Sequence, residues 1–233
     1  MRDIPRIAFH ISLVLRERAS TLVSDMEIAD LGGGIGLFSA GCAALGFKRV
    51  VLIDDFDDPV NHVYGESILE LHRSLGVTVI SRDVVSDGIE DIRGSFDAVT
   101  TFDSMEHWHH SPKRLFHAVI DKLRQDGLFM VGVPNAVNLR KRISVPFGYG
   151  KWTAMQDWYE APRFRGHVRE PDVDDLKYIA RDLQLMNWRI LGKNWIGHSS
   201  SRIGIRAITK IADPILQWIP QLCSDIYLVG KKQ

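Results

Sequence analysis

The sequence predicts an open α/β fold in which helices cover both faces of a mostly parallel sheet. Short apolar runs typical of strands alternate with longer segments whose apolar residues recur at helical spacing. Gly46 and Gly76 follow two of the helical segments, where a helix C-terminus often takes a left-handed residue. Strands and helices in this order pair in parallel through right-handed crossovers.

The elements follow from these patterns in chain order. The predicted strands span 27–31, 49–53, 77–81, 96–102 and 128–133, and the helices between them span 37–45, 60–75 and 112–124. Pro112 suits the first helical position, with Ser111 as its cap. Beyond residue 171 we expect a helix near 172–183, a strand near 187–193, a helix near 201–218 and a last strand near 225–229.

Residues 136–171 interrupt the pattern with three prolines and no clean period. They hold seven Lys or Arg against three Asp or Glu, and six aromatic residues, namely Phe147, Tyr149, Trp152, Trp158, Tyr159 and Phe164. A long irregular segment inside a domain is usually functional or disordered, and so many aromatics argue against disorder. We therefore expect one domain over 1–233 with a substrate-covering insertion at 136–171.

Composition excludes several classes of protein. Among 233 residues, 29 Lys and Arg balance 29 Asp and Glu, so the basic excess of a dedicated nucleic-acid binder is missing. Cys42 and Cys223 lie far apart and suit a reducing compartment better than a disulfide scaffold. No apolar run approaches the roughly 20 residues of a membrane span, and the N-terminus is too densely charged for a signal peptide. We expect a cytoplasmic protein.

A glycine-rich turn follows the first strand, with Asp30, Gly32, Gly34 and Gly36 at alternate positions. Glycines in such a turn let the backbone approach a ligand that faces the N-terminus of the next helix. Leu37 stands where a dinucleotide fingerprint requires its third glycine, which disfavours an NAD-dependent oxidoreductase. The alternative is a turn with a purely structural role.

Three carboxylates, Asp54, Asp83 and Asp103, fall at or just past the ends of successive predicted strands. Ligands of open α/β sheets bind outside these carboxyl ends. Asp54 can accept both hydroxyls of a ribose, Asp83 can meet an adenine amino group, and Asp103 can face the rest of the ligand. The alternative for each is a helix cap in a strand-to-helix turn.

The segments IADLGGGIG, VVLIDDF, ISRDVVSD and FDAVTTFDSMEHWHHSPKRLFHAVIDKLRQDGLFMVGVPN resemble, in this order, the motifs of class I S-adenosylmethionine-dependent methyltransferases. The resemblance runs from about residue 27 to 135. It is strongest to the branch that includes ubiquinone-type O-methyltransferases, and RGHVRE at 165–170 is similar to members linked to glycan modification.

The resemblance implies a Rossmann-like methyltransferase fold, a doubly wound α/β sheet of seven mostly parallel strands with the last strand antiparallel. It implies S-adenosylmethionine as cofactor and S-adenosylhomocysteine as product. The residues expected to bind the cofactor are Asp30, Gly32, Gly34, Gly36, Asp54, Asp83, Val84 and Asp103.

A hydroxyl acceptor must lose its proton as the methyl arrives, and histidine is suited to this near neutral pH. His107, His109 and His110 follow the fourth strand, and His167 lies in the covering segment. We expect His107 as the base and His167 to orient the acceptor, with the reverse assignment open and Glu106 ordering the loop. Each of these histidines could instead be a solvated loop residue, and His117 is taken as an ordinary helix residue.

Asp103, Glu106 and His107 also have spacing similar to the divalent-metal site of some ubiquinone-type methyltransferases. A cation there would lower the pKa of a bound hydroxyl. We favour a site without metal.

The helix near 201–218 carries Arg202, Arg206 and Lys210 at intervals of four. We expect it to cover the sheet with its apolar face, to expose its basic face to solvent and to break at Asp213-Pro214. The alternative is peripheral contact with an anionic membrane.

The function expected is therefore methyl transfer from S-adenosylmethionine to a hydroxyl of a small molecule, sugar or glycan. The alternative is a regulatory or interaction protein that binds the cofactor and has lost catalysis. The acceptor and the oligomeric state are not fixed by the sequence.

Overall fold

The computed structural model describes residues 4–56, 65–149, 153–162 and 164–233, and its seven strands form one sheet. The strands are β1 (Glu27–Leu31), β2 (Arg49–Asp54), β3 (Val77–Ser81), β4 (Phe96–Phe102), β5 (Leu123–Pro134), β6 (Met186–Lys193) and β7 (Asp225–Lys231). Their order is β3-β2-β1-β4-β5-β7-β6. β7 runs antiparallel to both neighbours, while β1 to β5 pair in parallel. The predicted fold class is confirmed.

Helices flank this sheet and connect its strands. They are α1 (Ile4–Glu17), α2 (Leu37–Ala44), α3 (Gly65–Ser74), α4 (Val84–Asp87), α5 (Lys113–Lys122), α6 (Leu139–Ser144), α7 (Met155–Tyr159), α8 (Val173–Asp182), α9 (Trp195–His198) and α10 (Ile203–Leu216). Short 3₁₀ turns lie at Val23–Asp25, Met105–His107, Val145–Phe147 and Pro220–Leu222.

Both faces of the sheet are buried, which explains why the central strands are continuous apolar runs. Successive side chains of a strand point to opposite faces. Ala29 and Val51 accordingly belong to a core under α5 and α8, whereas Ile28 and Leu52 belong to a second core under α1 and α2. The domain therefore has three layers, with the sheet between two layers of helices.

Several boundaries differ from the prediction. β5 begins at Leu123, because Leu123 pairs with Phe96 beyond a register shift, so the predicted helix 112–124 ends at Lys122. That helix begins at Lys113 with Pro112 as N-cap residue, and the Ser111 hydroxyl lies 3.4 Å from the Lys113 N–H. The expected Ser111 cap is therefore displaced by one position. Of the predicted helix 60–75, residues 60–64 lie outside the described residues, as does Trp152.

The helix α1 has no counterpart among the predicted elements. Its His10, Ile11, Leu13 and Val14 are buried against the second core. The signal was present in the sequence, since Ile7, Ile11 and Val14 recur at helical spacing behind Pro5. Dense charge at the N-terminus excluded a signal peptide but did not exclude an amphipathic helix.

The prediction for α10 is wrong in two respects. The helix continues through Pro214 to Leu216, although Pro214 cannot donate the hydrogen bond that an N–H at this position would give to the Lys210 carbonyl. Its isoleucines at 203, 208, 211 and 215 are exposed instead of covering the sheet.

Cys42 and Cys223 are free thiols, and both are buried. Among the described residues, no helix has both the length and the apolar character needed to cross a membrane.

The buried carboxylate of Asp97 connects several elements at the amino ends of β1, β4 and β5. Asp97 accepts the Glu27 N–H at 2.8 Å and an Arg18 Nη2 hydrogen bond at 3.2 Å, and it pairs with Arg124. Its side chain is 6% exposed. One carboxylate thus ties the segment after α1 to β1, β4 and β5.

Asp97→Ala should lower the free energy of unfolding by about 3–5 kcal/mol, because it leaves partly buried guanidinium groups and a backbone N–H without their partner. Urea unfolding followed by circular dichroism measures the loss. Asp91→Ala is the matched control, since Asp91 pairs with Arg82 at an exposed position and should cost less than about 1 kcal/mol. Equal effects of the two changes would contradict the central place of Asp97.

Candidate functional site

The glycine turn after β1 depends on a left-handed backbone at alternate positions. Gly32, Gly34 and Gly36 have φ of 65°, 56° and 68°. A Cβ at Gly32 would lie 1.8 Å from the Ser104 hydroxyl oxygen, and one at Gly36 would lie 2.6 Å from Leu52 Cδ2. A Cβ at Gly34 would meet nothing within 4 Å. The turn therefore presents bare backbone to open space at Gly34, whereas Gly36 is required for packing and lies outside the cleft described next.

The turn borders two adjoining cavities at the carboxyl edge of the parallel strands. One has a volume of about 510 Å³ and the other of about 270 Å³, and both are lined by Gly32, Gly34 and Asp103. The larger cavity also contacts Asp54, Asp83 and Val84. We call the two together the cleft. Most residues that the sequence singled out for cofactor binding meet there.

Asp54 closes the glycine turn from the neighbouring strand. Its Oδ2 accepts the Gly34 N–H at 2.5 Å and its Oδ1 accepts the Asp55 N–H at 2.7 Å. Asp54 thus fixes the turn and lines the larger cavity, and its contact with the two vicinal hydroxyls of a ribose stays a prediction.

Asp83 lies in the cleft, but its carboxylate already has local partners. Oδ1 accepts the N–H groups of Val85 and Ser86, and Oδ2 accepts the Ser86 hydroxyl at 2.9 Å. These bonds lower the pKa of Asp83 although partial burial opposes them. Capping of α4 therefore accounts for this side chain, and its contact with an adenine stays a prediction.

Asp30 lies beneath the glycine turn and is 2% exposed. It accepts hydrogen bonds from Ser39 at 2.9 Å and Thr100 at 3.2 Å. Burial raises the pKa of Asp30 to about 7, against those hydrogen bonds, and the charge of Asp54 adds to the rise. Its carboxyl group holds α2 and β4 to the turn.

α1 supplies cleft residues that the sequence reasoning missed. Arg6, Ile7 and His10 line the smaller cavity together with Phe38 and Phe102. The His10 ring stacks on Phe102 with centroids 4.0 Å apart and lies 3.1 Å from the Tyr227 hydroxyl. Burial and the charge of Arg6 lower the pKa of His10 to about 3, so its ring is neutral.

Asp103 follows β4 with a φ of 52°, a conformation uncommon outside glycine. The Asp103 N–H donates to the Gly132 carbonyl at 2.8 Å, and Oδ2 lies 3.0 Å from Arg6 Nη1. The strained residue sits between both cavities. Such strain is often kept at functional sites.

The expected catalytic residues His107, His167 and Glu106 lie together beyond the carboxyl end of β4. Their nitrogen and carboxylate oxygen atoms lie within 4.8 Å of one another, and the two rings meet edge to face at 4.8 Å. His107 Nδ1 lies 2.9 Å from the Arg165 carbonyl oxygen. A carbonyl only accepts, so Nδ1 carries the proton and Nε2 is the basic nitrogen of the neutral ring. Burial lowers the pKa of His107.

His167 is held from its other side. Its Nδ1 lies 2.8 Å from Glu170 Oε1, and Glu170 also pairs with Lys141 on α6. Although burial opposes them, hydrogen bonds from His167 and Lys141 keep the pKa of Glu170 below its usual range. His167 lines neither cavity among those described, whereas His107 lines the larger one.

Glu106 is 1% exposed, and its Oε2 has no hydrogen-bond partner among the described residues. Burial, together with the nearby charges of Asp103, Glu170 and Asp225, raises the pKa of Glu106 well above its usual range. Its carbonyl accepts the N–H groups of Val168 and Arg169 at 2.7 and 3.2 Å. Glu106 thus joins the covering segment to the end of β4.

The alternative metal set needs a correction. Asp103 points its carboxylate at Arg6, and His167 takes its place beside Glu106 and His107. Sequence spacing does not predict that His167 replaces Asp103 in this set, because an irregular segment brings His167 to the site.

The other three histidines named in the sequence analysis lie outside this cluster. His109 and His110 are exposed at the rim of the larger cavity, beside Trp108 and Phe164. His117 is exposed on α5 and pairs with Asp182, in agreement with an ordinary helix residue.

Known proteins resemble this chain in sequence and in fold. A family described as a methyltransferase domain matches residues 6–190. The chain belongs to this family. The prediction of a methyltransferase is confirmed, while its branch and acceptor are still predictions. No curated protein matches the chain.

Solved structures share the fold at low identity. A SAM-dependent methyltransferase from Archaeoglobus fulgidus is 17% identical, with a TM-score of 0.56 over 100% of this chain and 95% of that one. Magnesium protoporphyrin IX methyltransferase from Synechocystis, with bound SAH, is 14% identical, with a TM-score of 0.56 over 98% and 84%. Coclaurine N-methyltransferase, bound to N-methylheliamine and SAH, is 14% identical, with a TM-score of 0.59 over 97% and 72%.

The buried Asp30 predicts a pH dependence of stability. Its folded pKa of about 7 lies above its usual 3.8, so the stability it contributes is complete below the lower value and is lost as pH rises through the upper one. Asp30→Asn removes this titration. Between pH 5 and 8 the wild type should lose stability relative to the variant, by up to about 1.4 kcal/mol per pH unit. Urea unfolding at each pH measures the difference, and parallel profiles would contradict the raised pKa.

Proposed function

We propose that this methyltransferase moves the methyl group of S-adenosylmethionine to a hydroxyl of a small molecule, sugar or glycan. The observation that carries the proposal is the neutral His107 at the cleft, whose Nδ1 is fixed by a carbonyl and whose Nε2 can accept a proton. An oxygen acceptor needs such a base, because a hydroxyl must lose its proton as the new bond forms.

The cleft fits the methyl donor at several points. Bare backbone at Gly34 admits a ligand to van der Waals contact, and the Asp54 carboxylate, which lines the same cavity, is the proposed partner of the ribose hydroxyls. The family match, and S-adenosylhomocysteine in two structures of the same fold, support this donor. S-adenosylmethionine supplies an activated sulfonium methyl group, which leaves alignment as the main task of the protein.

Glu106, His107 and His167 have separate proposed roles in the reaction. His107 is the base, and His167, which Glu170 holds beside the His107 ring, is proposed to orient the acceptor. Glu106, whose pKa burial raises above its usual range, lies beside both rings and orders the loop that carries His107. The proton taken by His107 gives an imidazolium, which the nearby negative charge of Asp103 stabilises.

The covering segment gives the acceptor its surroundings. Phe164 and Arg165 line the larger cavity, as does Trp108. Aromatic faces stack on sugars or rings, and a guanidinium pairs with phosphate or carboxylate. Residues 136–171 are therefore proposed as the acceptor-binding insertion of a single domain. The acceptor class is a sugar or ring that carries an acidic group.

The alternative of a cofactor binder without catalysis predicts cofactor affinity with no turnover of any acceptor. The second alternative places a divalent cation at Glu106, His107 and His167. In that case chelation abolishes turnover and Mg²⁺ or Zn²⁺ restores it.

Asp54→Ala should weaken S-adenosylhomocysteine binding at least about tenfold, because hydrogen bonds to a charged group are worth roughly 1.5–3 kcal/mol each. Isothermal titration calorimetry measures the dissociation constant. Asp25→Ala is the control, since this exposed carboxylate precedes β1 at the opposite edge of the sheet. An unchanged dissociation constant for Asp54→Ala would refute its assignment to the ribose.

His107→Ala should lower kcat by about a hundredfold or more, the usual range for loss of a general base, with S-adenosylhomocysteine affinity nearly intact. Since the pKa of His107 is lowered, wild-type kcat should fall only at acid pH, below the usual histidine value of 6.5. The profile is measured with sugar and phenol acceptors that carry phosphate or carboxylate groups.

His167→Ala should raise KM more than it lowers kcat, and His117→Ala should change neither. If His167→Ala alone gave the hundredfold loss in kcat, the base would be His167. Near-normal kcat in both variants would leave proximity or a cation as the source of the rate.

A further inference from the structure

α10 presents an apolar face to solvent. Its outward side chains Ile203, Ile208, Ile211 and Ile215 are 73%, 67%, 77% and 69% exposed. Just past the helix, Trp218 is 81% exposed and Ile219 is 46% exposed. Large contiguous apolar patches are rare on soluble monomers and mark surfaces that bind something.

The helix contacts the protein through its polar side. Asp213 is buried and accepts hydrogen bonds from Asn194 at 2.7 Å and His198 at 3.1 Å. Thr209 packs so closely on α9 that a Cβ at Gly197 would lie 2.1 Å from its hydroxyl oxygen. An amphipathic helix usually buries its apolar side, so α10 is inverted, and specific polar contacts hold it that way.

Exposed cations accompany the apolar face. Arg202 precedes α10, while Arg206 and Lys210 lie on its polar side, and all three are exposed. The chain contains no acidic residue between Asp182 and Asp213. Within the described ranges, none of these three cations forms an ion pair. An occupant of the face must therefore combine an apolar phase with negative charge.

We propose that α10 docks the protein on the surface of an anionic lipid bilayer. The helix lies along the interface, with its isoleucines below the headgroups and Trp218 at headgroup level. The three cations, on the polar side of the helix, lie within the distance over which anionic lipids attract basic residues. Fourteen residues give a footprint about 21 Å long at 1.5 Å per residue.

The charges favour a bilayer over a second copy of the chain. A symmetric contact across this face would use the same patch twice. Six exposed cations, three from each copy, would then lie near one interface, while Asp213 of α10 is buried against its own chain and does not face them. A bilayer with anionic lipids supplies both the apolar phase and the counter-charge.

The placement of α10 gives docking a consequence for the reaction. Lys193, which ends β6, and Pro134, which ends β5, both pair with Asp225 at the start of β7. α10 is inserted between Lys193 and Asp225, so it leaves the sheet at the same edge as Asp103 and the cleft. Docking is independent of the proposed reaction and places that edge near acceptors held at a membrane.

Vesicle flotation of the full chain tests the proposal. With phosphatidylcholine vesicles that contain phosphatidylglycerol, the wild type should float, and it should bind about tenfold or more weakly to phosphatidylcholine alone or at high salt. The double variants Ile208→Glu/Ile211→Glu and Arg206→Glu/Lys210→Glu should each lose about tenfold or more in binding. Leu22→Glu and Arg93→Glu, at exposed positions of other elements, are the matched controls and should bind like the wild type.

All variants should keep the thermal midpoint and S-adenosylhomocysteine affinity of the wild type, since the changed side chains are exposed. Binding that is absent, equal on neutral vesicles or retained in the double variants would overturn the proposal. A dimer in light scattering that Ile208→Glu/Ile211→Glu dissociates would assign the face to a second copy instead. Loss of vesicle binding with intact cofactor affinity separates a failure of docking from a failure of the proposed reaction.

Discussion

Asp30 stands where three elements meet, and the cleft depends on the bonds of its carboxyl group. The glycine turn follows it, Ser39 donates to it from α2, and Thr100 donates to it from β4. The turn needs left-handed backbone at alternate positions, which local sequence permits through glycine but does not by itself stabilise. A buried acceptor below the turn supplies the stabilisation. Burial raises the pKa of this carboxyl group, so the stability that it gives to the turn depends on pH.

The parallel register extends this constraint to the rest of the site. β2 lies beside β1 and brings Asp54 to the Gly34 N–H, while β4 lies on the other side and brings Asp103 and the turn that carries His107. Ligand-binding side chains from separate motifs therefore converge because the carboxyl ends of parallel strands share an edge. The covering segment adds the last contacts through Glu106, whose carbonyl receives the N–H groups of Val168 and Arg169.

Local periodicity and strand-end chemistry were enough to predict the sheet, the glycine turn and Asp54, since each depends on neighbours close in sequence. They were not enough for residues placed by distant packing. Arg6 and His10 reach the cleft because α1 docks on α2 and the aromatic residues Phe102 and Tyr227. His167 joins Glu106 only because an irregular segment folds back, and Asp103 leaves the expected set because Arg6 attracts it. Asp83 shows the converse, in that a predicted ligand contact has a sufficient local explanation as a cap.

The inverted orientation of α10 shows where periodicity misleads most. An apolar stripe at helical spacing indicates which side chains share a face, but it does not say whether that face meets the sheet or the surroundings. Asp213 decides the matter, because its hydrogen bonds to Asn194 and His198 are lost if the helix turns its isoleucines inward. A buried carboxylate without those donors would cost more than one exposed isoleucine contributes when buried. A single polar residue on the opposite side of the helix therefore fixes its rotation, and the apolar face is left for an external phase.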